Sequence, residues 1–109
     1  METMETMVST DERFVHFPVD LEYTEAAKWF ADIVADGCLY LNIDLFGVDI
    51  LISRQISIFI MLHKELTEMG GVVRLINVTA ELYKTLDMLN LDRTISIERL
   101  SDSNPKNEN

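Results

Sequence analysis

Apolar and polar positions recur along this chain with periods that predict seven elements. Near the start, Phe14, His16 and Pro18 alternate with Val15, Phe17 and Val19, the period of two expected of a strand. With MVST before it and the polar pair Asp11-Glu12 between, the first twenty residues predict a β-hairpin. Pro18 has no N–H for a ladder and should end its strand. The period then changes. Ala26, Trp29, Phe30, Ile33 and Val34 form one helical stripe, with Thr24 as the expected N-cap and Gly37 as the stop. Leu39, Leu41, Ile43 and Leu45 alternate with Tyr40, Asn42 and Asp44, so a strand returns, and Gly47 marks a turn. A second helix should begin around Ser53, which could cap it, and end at Gly70-Gly71. Ile56, Phe59, Ile60 and Leu66 make one face of it, and Ile58, Met61 and Leu62 make its first half apolar nearly all round. The run VVRLINV is almost continuously apolar, as expected of a central strand covered on both faces. Thr79 should cap a third helix with Leu82, Leu86 and Leu89 inward, and TISIERL offers a last strand. The tail SDSNPKNEN is polar and aperiodic and is expected to be disordered.

Strand–helix–strand alternation calls for crossover connections and a sheet with parallel pairing. The predicted class is α/β: a small mixed, mostly parallel β-sheet with three helices and an N-terminal β-hairpin. At 109 residues there is room for a single domain, residues 1–100, followed by the tail 101–109.

Composition narrows the function classes. One cysteine excludes an internal disulfide and a paired-cysteine metal motif. No apolar run approaches the ~20 residues of a membrane span, and METMETMVST lacks the basic start of a signal peptide. A cytoplasmic protein is expected, without direct membrane insertion. Net charge is −10, distributed unevenly: residues 1–49 carry 11 acidic and 2 basic side chains, residues 50–109 carry 8 and 7. With no lysine or arginine cluster, the phosphate-neutralising term of nucleic-acid binding is missing. There is no phosphate-cradling glycine loop. His16, His63 and Cys38 lack placeable catalytic partners and read as structural. Neither an enzyme, a cofactor nor a metal is expected.

Four pieces between Leu39 and Leu91 together resemble the STAS domain of anti-sigma factor antagonists and sulfate transporters. They are a strand ending in Asp44-Leu45-Phe46-Gly47-Val48-Asp49, a serine opening the next helix at Ser53, LHKEL before a glycine turn and an apolar strand, and Asn77-Val78-Thr79 opening a leucine-rich helix. The resemblance implies a protein-binding regulator that works by partner switching: it binds an anti-sigma factor or serine kinase-type regulator, and phosphorylation at Ser53 breaks the complex. Two added charges at an acidic, partly apolar interface repel a partner and carry a desolvation cost.

The expected partner surface comprises Phe46, Asp49, Ser53, Arg54, Gln55, Ser57, Ile58 and Met61, with Ser57 the lesser phosphorylation candidate. Departures from the family pattern sit at the same turn. Where the family has an Asp before the serine this chain has Ile52; Arg54 replaces a second hydroxyl residue, and Gln55 replaces a glycine. These favour an alternative, a phosphorylation-independent STAS subunit of a larger signalling or membrane-transporter assembly. A homodimer belongs to the same range of assemblies.

Overall fold

The computed structural model describes residues 12–100. The first arm of the expected hairpin and the tail from 101 lie outside the described residues. Within them the order is β1 (Glu12–His16), α1 (Tyr23–Ala35), β2 (Tyr40–Asp44), α2 (Ser53–Glu68), β3 (Val72–Val78), α3 (Ala80–Met88), a 3-10 turn (Leu91–Arg93) and β4 (Ser96–Arg99). The four strands form one sheet in the order β1-β2-β3-β4. All three pairings are parallel, with Phe14 opposite Asn42 and Asn42 opposite Arg74. This is the α/β architecture with three helices that the periodicity predicts.

One sheet face is closed. Leu41, Ile43, Val73 and Leu75 are buried in a single core that takes Phe30 and Ile33 from α1, Phe59, Leu62 and Leu66 from α2, and Leu82 and Leu86 from α3. Phe17 joins β1 to two helices, stacking 6.0 Å from Phe30 and meeting Phe59 edge-on at 5.1 Å. The other face corrects the expectation for VVRLINV. Phe14, Tyr40, Val72 and Arg74 lie exposed on it, so β3 is covered on one face only. Asn42, buried beneath this layer, donates to Glu12 Oε2 and to the Arg13 carbonyl, each at 3.1 Å, and accepts from Arg74 at 3.4 Å. An arginine in an apolar run is the mark of a strand wet on one side.

Helix starts also shift. Thr24 does not cap α1; Glu22 is the N-cap and makes no side-chain capping bond. Ser53 is the first helical residue of α2, after Ile52 as N-cap. Thr79 does cap α3, its Oγ1 accepting the Leu82 N–H at 3.2 Å. Gly37 and Gly70 take the positive φ that ends α1 and α2. Gly71 has a different task. A Cβ there would collide with the Leu39 carbonyl, which accepts the Val72 N–H at 2.7 Å where β3 starts.

Candidate functional site

The site is built at the end of the sheet where β2 and β3 deliver their chains into loops. Asp44, the last residue of β2, accepts two hydrogen bonds on one oxygen: from the Phe46 N–H at 2.9 Å and from Asn77 Nδ2 at 3.0 Å. Asn77 adopts a left-handed φ of 55° beside the register shift near the end of β3, a conformation that asparagine tolerates better than most side chains. Gly47, at φ 82°, occupies the third position of a turn closed by Val48 N–H on the Leu45 carbonyl at 2.9 Å. His16 Nε2 lies 3.1 Å from the Phe46 carbonyl; a carbonyl only accepts, so that nitrogen carries the hydrogen. His16 thereby braces the loop that follows β2. The loop between β2 and α2 is held from several sides while Phe46, Ile50 and Ile52 stand exposed on it, Ile50 at 81%.

The start of α2 follows. Gln55 Oε1 accepts the Ile52 N–H at 3.0 Å, closing the first turn. The residue that replaces a glycine of the resembling family is thus a working cap. Ser53 is exposed, and its hydroxyl makes no hydrogen bond to the described residues. Ser57 is also exposed, but its hydroxyl donates to the Arg54 carbonyl at 2.6 Å. The two serines differ in availability: among the described residues one hydroxyl has no hydrogen-bond partner, and the other is turned back onto its own helix.

Ser53, Ser57 and Ile60 share a face of α2 by helical spacing. With Ile56, Leu89 and Leu91 they line a cleft of about 300 Å³ between α2 and the end of α3. Ile60 and Leu89 are roughly half exposed, and Met88 beside them is 80% exposed. This corrects two inward assignments. Ile60 looks out, because α2 buries Ile56, Ile58, Phe59, Leu62 and Leu66 instead, and Leu89 lies past the last turn of α3. Ile58, expected at the partner surface, is fully buried and leaves it. Met61 is half-buried, while Phe46, Asp49 and Arg54 are exposed and Gln55 is half-buried. The sequence reading missed Ile50, Ile52, Ile60, Met88 and Leu89. Exposed apolar residues on a loop and at a helix end were the available signal.

Behind the cleft, Tyr83 donates to Asp92 Oδ2 at 3.3 Å, and Arg99 sits 5.0 Å over the Tyr83 ring. Asp92 Oδ1 is buried with no hydrogen-bond partner among the described residues. The hydrogen bond that a protonated Asp87 can donate to Asp92, and then the Asp92 charge, push the Asp87 carboxyl above its usual range. Partial burial, then the charges of Asp92 and Asp87, raise Tyr83. On the other side of Arg54, a second cavity of about 470 Å³ opens between the β1–α1 connection and the start of α2. Among the described residues no group of His, Cys, Asp and Glu is arranged to hold a metal, and no helix is long and apolar enough to cross a membrane.

No family model and no curated protein matches the chain. Two solved structures share its fold. The NMR structure of the protein TM1081 aligns with a TM-score of 0.72 at 20% identity, covering 82% of this chain and 74% of that one. A crystal structure of tm1081 from Thermotoga maritima, described as a candidate anti-sigma factor antagonist, aligns at 0.57 and 20% identity, covering 81% and 73%. The fold is STAS-like, in agreement with the resemblance carried by residues 39–91.

Proposed function

We propose that this chain is a non-enzymatic protein-binding regulator, an anti-sigma factor antagonist that works by partner switching, with Ser53 as its phosphorylation site. The observation that carries the reading is the exposed, unbonded Ser53 hydroxyl at the lip of the apolar cleft formed with Ile60 and Leu89. Its partner is an anti-sigma factor or serine kinase-type regulator seated over the cleft and over Phe46, Asp49 and Arg54. A phosphate on Ser53 sits at the positive end of α2, among first-turn N–H groups that a helix leaves without intrahelical acceptors. The modification therefore leaves the fold intact while adding about two negative charges where an apolar partner must dock. The fold shared with a candidate anti-sigma factor antagonist supports the class.

Ile52 and Gln55 carry a second reading. They close the first turn of α2 without the family's acidic and glycine residues, which suits a constitutive subunit that no kinase addresses. The experiment that separates the two is capture from the source cells with Ser53→Ala and Ser53→Asp, with phosphopeptide mapping of the unmodified chain. Switching predicts that Ser53→Ala retains an anti-sigma factor and Ser53→Asp loses it. Equal recovery by both variants, with no phosphate on Ser53, selects the constitutive subunit.

A further inference from the structure

The cavity on the far side of Arg54 has a different character from the cleft beside Ser53. Its apolar walls are Val19, Leu21, Tyr23 and Ile52, each between 38% and 58% exposed. Three of them come from one short connection, Val19-Asp20-Leu21-Glu22-Tyr23, where apolar and acidic residues alternate. Two hydrogen bonds shape that connection: Val19 N–H to the Phe17 carbonyl at 3.0 Å and Leu21 N–H to the Pro18 carbonyl at 3.1 Å. The result is an apolar hollow walled by residues 19, 21 and 23, with carboxylates at 20, 22 and 25 along the same stretch of chain. Among the described residues none of Asp20, Glu22 and Glu25 is in an ion pair, and Arg54 is the one cation among the residues lining the hollow. Of the three carboxylates Glu22 lines the hollow opposite Arg54, and the exposed Asp20 and Glu25 on the same stretch of chain tip the balance of charge around its rim to negative. A neutral apolar ligand leaves the carboxylates unused.

The geometry points to the hollow between the β1–α1 connection and α2 as a socket for a cationic protein segment that presents one large apolar side chain. The apolar side chain fills the space beside Leu21, Tyr23 and Ile52, and flanking lysines or arginines meet Asp20, Glu22 and Glu25. A hollow of this volume suits one large anchor residue. Charge pairs at its rim act mainly on association rate and on choice of partner. The assignment deepens the docking reading above by naming the chemistry of the segment bound. It rests on this end of the sheet being a docking surface, but not on Ser53 being modified.

The test uses the whole chain and a synthetic peptide with one phenylalanine flanked by lysines. Two analogues accompany it, one with the phenylalanine replaced by serine and one with the lysines replaced by glutamates. Affinity is measured by fluorescence polarisation, and the bound surface is mapped by amide chemical shifts. Asp20→Lys with Glu22→Lys should weaken the lysine peptide at least tenfold. Glu65→Lys with Glu68→Lys, an equal change of net charge at the other end of α2, should change it less than threefold. Shifts should concentrate at residues 19–25 and 52–55, and the serine analogue should lose most of its affinity. The inference is overturned if both charge reversals weaken binding equally, which would mean non-specific attraction to an acidic protein. It is equally overturned if the glutamate analogue or ATP perturbs the hollow more than the lysine peptide. Concentration-dependent shifts there without peptide would assign the hollow to a second copy and overturn it too. Ser53→Asp in the same assay separates the readings: lost capture in cells with unchanged peptide binding leaves switching standing, whatever the fate of the socket.

Discussion

Two hydroxyl residues open helices in this fold, and replacing each by alanine should have opposite effects. Thr79 is a true N-cap: its Oγ1 accepts the Leu82 N–H at 3.2 Å and lies 3.5 Å from the Val48 carbonyl. Losing such a cap costs about 1 kcal/mol, so Thr79→Ala should lower Tm by roughly 4–8 °C in a domain of this size. Ser53 sits one position further in, at the first helical residue, with an exposed hydroxyl that bonds nothing among the described residues. There alanine is the better helix former by up to about 0.5 kcal/mol, and Ser53→Ala should leave Tm unchanged or slightly raised. Ser53→Asp places a carboxylate at the positive end of α2, worth about 0.5 kcal/mol at low salt, or roughly 2–4 °C upward. Differential scanning fluorimetry at neutral pH resolves the three outcomes, and added salt should erase the aspartate gain by screening. A fall in Ser53→Ala as large as that in Thr79→Ala would refute the reasoning. Ser53 would then be a cap, and its hydroxyl would be engaged rather than free for a kinase.

Ile60→Asp, at a half-exposed position of the cleft, should fold normally but lose at least tenfold in affinity for the captured partner by titration calorimetry. Ile58→Asp, two residues earlier and fully buried, should fail to fold because a lone buried charge has no compensation. Gly71→Ala drives a Cβ into the Leu39 carbonyl and disturbs the Val72 hydrogen bond. It should cost about 2–3 kcal/mol in urea unfolding, whereas Gly70→Asn, at φ 86° in open space, should cost far less. Asp87 binds its proton more tightly in the folded chain than in the unfolded one, because of Asp92. Its contribution is therefore fully present below the ordinary carboxylate range and is lost as pH rises through the raised value. Asp87→Asn should remove that acid-side gain and flatten the dependence of the urea midpoint on pH in this range.

Much of the fold is legible in periodicity, and the exceptions have physical causes. The helix and strand order follows from changes between periods of 3.6 and 2. Gly37 and Gly70 stop helices because both must take positive φ. β3 was harder to read. A run of valine, leucine and isoleucine does not by itself say whether one face or two are covered, and the expectation of two passed over Arg74, which lies on the wet face. Helix α2 was ambiguous for the opposite reason. Seven apolar side chains within one and a half dozen residues fit several faces, and only the packing of Phe59 against Phe17 selects the one that turns Ile60 outward. Ser53 was singled out by the family resemblance, and Arg54 as a departure from it. The two hollows on either side of them join residues some thirty positions apart, and a pattern read along one chain holds no measure of that proximity.

Asp44 bears on how the switching proposed above would proceed. By holding both the Phe46 amide and the Asn77 side chain, it fixes the loop between β2 and α2 to the ends of two strands. The ordering entropy of that loop is spent in folding, and encounter needs no loop closure of its own. A surface prepared in this way does not toggle by melting and re-forming. Under the proposed switching, the bound and released states would share one backbone and differ in electrostatic potential.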